Sequence, residues 1–130
     1  MALCLRSGTE QPSGEDRSGE FAISEGLYWG LFHLGVVDYF GQLPNDGFIG
    51  AYEEGVLFSA GLKEAAAFVR ACVQQLTDEQ LEWSCGQQVS PAKVDYRIVV
   101  HSLTLKTELN AFADFLSSAD EYKADVQFWL

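Results

Sequence analysis

Positive charge is scarce in this chain: Lys and Arg number 8 against 19 Asp and Glu over 130 residues, a formal net charge of −11. Such a surface repels phosphate backbones and anionic headgroups, so nucleic acid and membrane are not expected as partners. Histidine is scarcer, with 2 residues, and leaves imidazole chemistry only His33 and His101. The 3 cysteines, Cys4, Cys72 and Cys85, are odd in number and lack CxxC spacing, which argues against a disulfide framework or a thiolate metal site. They suit a reducing compartment, where a free thiol acts as a small apolar side chain, and the expected location is cytoplasmic. The opening Met-Ala-Leu-Cys-Leu-Arg turns polar at once, so no secretory leader is expected. Leu27 to Phe40, the most apolar stretch, falls short of the ~20 residues of a membrane span and carries His33 and Asp38. The chain also lacks a phosphate-binding glycine loop, a dinucleotide fingerprint, a zinc-protease helix motif, a serine-hydrolase elbow and an EF-hand loop. Neither a cofactor nor a metal is therefore expected, and no catalytic residue is assigned.

What the chain does have is core material. Apolar residues make up 48% and aromatics 13%, enough for a packed interior, so the charge does not signal disorder. The length fits one domain over residues 1–130. Ala2 to Arg6 and Phe21 to Ile23 read as two strands of a hairpin. Between them the polar, Gly- and Ser-rich Ser7 to Gly19 reads as a mobile loop at 7–19. Ser24 is a natural N-cap for a helix reaching Phe40, with Glu25 favoured at its positive end. Gly26 and Gly30, four apart on that helix, leave room for another segment to approach. Gly41 and Pro44-Asn45-Asp46-Gly47 form a turn. Phe48 to Tyr52 and Val56 to Phe58 then read as a hairpin about Glu53-Glu54-Gly55.

Leu62, Ala66, Val69, Val73 and Leu76 repeat at helical period and predict the clearest helix. Thr77 and Gln80 form a capping box that predicts a second, short helix from Asp78 to about Ser84. A loop over Gly86 to Lys93 follows, then a strand from Tyr96 to Leu103 whose Ile98-Val99-Val100 run suits a central position. Leu105, Leu109, Phe112 and Leu116 mark a helix, and Val126 to Leu130 a closing strand. The fold class is α+β: a small, mostly antiparallel sheet with about three or four helices packed on it.

Charge and composition point to a non-enzymatic protein-interaction module whose acidic surface binds a basic protein partner. Acids beside aromatics supply the candidate contacts: Glu53, Glu54, Asp78, Glu79 and Glu82, with Trp83 as apolar anchor. A solvated face explains the same acids without a partner, since Asp78 and Glu79 favour a helix start on their own. The sharpest form is an inhibitor of the bacterial immunity type that masks the cationic active site of a toxin, by analogy of size, charge and missing catalytic motifs. A second reading is a small-ligand domain or minor enzyme with a pocket at Cys85, Tyr96 and His101, where a thiolate–imidazole pair would be the reactive unit. A third is a structural subunit or homodimer that adds strands through the apolar C-terminal segment.

Overall fold

The computed structural model describes residues 2–6, 20–47, 54–77, 80–89 and 92–129, so the loop expected at 7–19 and the strand expected at Phe48 to Tyr52 lie outside the described residues. The fold is α+β; among the described residues there are four α-helices, and the strands pair only in antiparallel fashion. β1 (Ala2–Arg6) and β2 (Glu20–Ile23) pair as expected, Ala2 opposite Ile23 and Leu5 opposite Glu20.

The helix expected from Ser24 to Phe40 is two helices, α1 (Glu25–His33) and α2 (Val36–Phe40). Gly35 separates them at φ +77°, a left-handed conformation that only a residue without Cβ adopts at no steric cost. The apolar run of this stretch hides the break, because both segments bury residues: Leu27 and Leu31 from α1, Val36, Val37 and Phe40 from α2.

β3 (Asn45–Gly47) pairs with β4 (Glu54–Leu57). Asn45 to Gly47 is strand, the turn being held just before it by Asn45 Nδ2, which donates to the carbonyls of Gly41 (3.1 Å) and Leu43 (2.6 Å). Glu54 and Gly55 belong to β4 and not to a turn, Gly55 standing opposite Gly47. A single 3-10 turn (Ser59–Gly61) then leads into α3 (Leu62–Gln75). Gly61 is tightly packed, since a Cβ there would lie 3.1 Å from Leu43 Cβ and 3.2 Å from Pro44 Cδ and would push them back by a few tenths of an ångström.

The largest departure lies between α3 and the last helix. The capping box at Thr77 starts no helix, and residues expected as a loop are strand: β5 (Gln80–Val89) pairs along its length with β6 (Ala92–His101). Period two decides it. Leu81 and Trp83 on β5, with Val100 opposite Leu81, pack against the core, while Gln80, Glu82, Arg97, Val99 and His101 are exposed. Burying that alternating apolar face outweighs a local capping preference of about 1 kcal/mol. β6 is therefore one strand of a two-stranded ribbon and not a central strand.

α4 (Ser102–Glu121) starts directly after β6 and outruns the helix expected from Leu105 to Leu116. Its predicted stripe of Leu105, Leu109, Phe112 and Leu116 is buried to 1% exposure or less and shares one core with Leu62, Ala66 and Val69 of α3, the helix it packs against. β7 (Val126–Trp129) completes a five-stranded sheet of order β2-β1-β7-β4-β3. The C-terminal segment is thus the central strand, with β1 on one side and β4 on the other. Both of its edges are occupied, and the homodimer expected through that strand has no free edge to use. Among the described residues the free edges belong to β2, β3 and the β5–β6 ribbon.

Candidate functional site

The ribbon leans on α1 where α1 carries no side chains. A Cβ on Gly30 would fall 3.0 Å from Leu105 Cδ1 and 3.4 Å from Trp83 Cη2, and one on Gly26 would lie 3.4 Å from Val100 Cγ2. The two glycines thus form the notch into which the ribbon and the start of α4 settle. Trp83 continues past Gly30 onto His33, their rings stacked 7° from parallel with centroids 5.1 Å apart. His33, expected on an apolar helix, is exposed and covers the tryptophan from outside.

Beside this contact the end of β6, the N-terminus of α1 and the first turns of α4 leave a cavity of about 570 Å³. Ile98, Val99 and Val100 form one wall, Ser24, Glu25 and Gly26 another, and His101, Thr104 and Glu108 the third. Thr104 and Glu108 are four apart on α4 and so share a face. Ser24 ties two of these walls together. Its hydroxyl accepts the Leu27 N–H at 3.2 Å, capping α1, and donates to Glu108 Oε2 on α4. The cavity is therefore apolar along β6 and carries two carboxylates, Glu25 and Glu108, on the side of the helices. His101 Nε2 lies 3.4 Å from Gln80 Nε2 across the ribbon. Val99 is 57% exposed and Leu103, just past the end of β6, is 72% exposed.

Glu53, Asp78 and Glu79 lie outside the described residues, and Glu54 stands in β4 opposite Trp129. Glu82 and Trp83 were expected together on a helix. On strand β5 they point to opposite faces: Glu82 is exposed and takes Arg97 Nη1 at 2.7 Å, whereas Trp83 turns to the core. Trp83 is thus half-buried packing and not an exposed anchor. Cys85 and Tyr96 are register partners, but His101 is opposite Gln80, five positions further along β6. At a strand rise of ~3.4 Å per residue that is ~17 Å of backbone, so Cys85 and His101 are not brought together as a thiolate–imidazole pair. Of that predicted pocket His101 lines the cavity, and the side chains of Cys85 and Tyr96 lie outside the described residues. Ser24, Glu25, Thr104 and Glu108 carry no site signal in the sequence: helix capping accounts for Ser24 and Glu25, and Thr104 precedes the helix expected from Leu105.

Among the described residues no group of three His, Cys, Asp or Glu is placed to hold a metal ion, and no helix is long and apolar enough to cross a membrane. Cys72, on α3, is a buried free thiol whose pKa desolvation raises. Compared with family models, curated proteins and solved structures, the chain matches none.

Proposed function

We propose that the chain is a non-enzymatic interaction module of a reducing cytoplasm that binds a basic protein partner, with the groove beside β6 as its contact site. The observation that carries this is the cavity itself: an apolar strand wall facing Glu25 and Glu108, on a chain of net charge −11. Side chains described as acidic are spread over α1, α2, α3, α4 and β5, including Glu25, Asp38, Glu64, Glu82 and Asp114. Spread charge of one sign speeds encounter with a cationic molecule, while a groove fixes where it docks. An inhibitor of the immunity type that masks the cationic active site of a toxin is the sharpest member of this class.

The test compares short Lys-rich and Glu-rich peptides by titration calorimetry at about 50 mM and about 500 mM salt. Only the basic peptide should bind, more weakly at high salt, and Glu25→Gln with Glu108→Gln should weaken it about tenfold at low salt. Equal binding by the double variant sinks the assignment of the groove.

A second reading has the cavity hold a small ligand, with Ser24, Thr104 and His101 as polar contacts. Its volume of about 570 Å³ favours this, being within the ~300–1,000 Å³ of known ligand pockets. Affinity for such a ligand would change little with salt.

A further inference from the structure

We infer that the partner enters this groove as an extended strand that pairs with the free edge of β6 over Ile98–His101, placing Lys or Arg side chains beside Glu25 and Glu108. The inference rests on the proposal that the partner is basic and adds the mode of binding. Three observations carry it. First, among the described residues β6 pairs with β5 alone, so alternate residues of its other edge carry backbone N–H and C=O groups that no described strand takes up, and Ile98–His101 of the same strand line the cavity. A pocket walled by a strand edge offers main-chain hydrogen bonds that an extended segment satisfies and a folded surface does not.

Second, the edge is unguarded. Exposed edges are usually blunted by charge, proline or bulges. Ile98-Val99-Val100 carries no charge, proline or glycine, and Val99 is 57% exposed. Third, charge selects the occupant. A second copy pairing edge to edge would bring its own Glu25 and Glu108, and another net charge of −11, to the same place. A cationic strand meets those carboxylates with opposite sign. Side chains alternate along such a strand, so every second residue faces the helices, and there Lys or Arg reaches the carboxylates. The intervening residues lie beside Val99.

The experiment uses the full chain and a labelled extended peptide alternating Lys and Val, in three forms: unmodified, N-methylated on the odd amides, and N-methylated on the even amides. Strand addition uses one alternating set of amides, so one methylated form should bind like the parent and the other about tenfold more weakly. Amide exchange at alternate positions of Ile98–His101 should slow on binding. If both methylated forms bind like the parent, strand pairing is wrong while the basic-partner proposal stands. Should the unmodified peptide fail to bind at low salt, both fall. A peptide-free dimer in light scattering, with β6 amides already protected, would instead give the edge to a second copy and overturn the inference.

Discussion

Ser24 shows how far one residue reads from sequence. Its place before Glu25 and an apolar run marks it as an N-cap, and its hydroxyl does accept the Leu27 N–H. That the same hydroxyl donates to Glu108, 84 residues away, has no trace in the local pattern. A local motif reports one bond of a hydroxyl, and tertiary structure assigns the other. Ser24→Ala removes both and should lower stability by about 1 kcal/mol, read as a shift in urea midpoint, with Ser24→Thr recovering most of it. An unchanged midpoint in the alanine variant would show that the cap carries no weight. Cys72 is the opposite case, a residue legible as a small apolar core group and found as one. Burial raises its pKa, so the folded thiol keeps its proton at a pH where the unfolded chain has already lost it. Its contribution is present below the ordinary thiol value and lost as pH rises through the folded value. In mapping by mass spectrometry, iodoacetamide should label Cys72 in native protein far more slowly than in urea. Equal rates would mean that the core around Cys72 opens freely.

At the scale of elements, the segments with one dominant pattern were legible and those with two competing patterns were not. α3 and α4 each carry an apolar stripe at helical period with nothing to contradict it, and both are found. Gln80-Leu81-Glu82-Trp83 carries two signals, a capping box that favours helix and an alternation that favours strand. The alternation prevails because Leu81 and Trp83 can be buried together only on one face of a strand, where α1 offers Gly30 as a seat. Glu82 and Trp83 should therefore respond very differently. Trp83→Ala loses a half-buried ring against Gly30 and should cost roughly 2–3 kcal/mol, below the range of fully buried aromatics. Glu82→Thr breaks an ion pair whose side chains are 53% and 71% exposed and should stay within about 0.5 kcal/mol. Comparable losses at the two positions would contradict the ribbon. Gly35 had no visible signal, since a glycine inside an apolar run reads equally as packing or as a break.

For the whole molecule, the run of expected helices and strands pointed to the α+β class and composition to the acidity, but neither could give strand order. That depends on pairings such as Leu3 with Trp129 and Leu57 with Val126, which join segments far apart in the chain. The β1–β2 and β3–β4 pairs share no edge until β7 inserts between them, and β7 brings the buried Val126 and Phe128 with it. The candidate site was equally hidden, because its walls come from α1, β6 and α4. Charge acts on the assembled whole in two senses. Eleven net negative charges on one small domain repel one another and weaken the folded state. The same charges attract a cationic partner. Added salt screens both effects, so stability and binding should move in opposite directions. Between about 50 mM and about 500 mM salt, Tm should rise by a few degrees while affinity for a basic peptide falls. Paired thermal melts and peptide titrations on one sample read both quantities. Were Tm also to fall with salt, attractive surface pairs such as Arg70 with Asp114 and Arg97 with Glu82 would outweigh the net repulsion. The excess charge would then already be compensated within the fold, leaving little of it to draw in a partner.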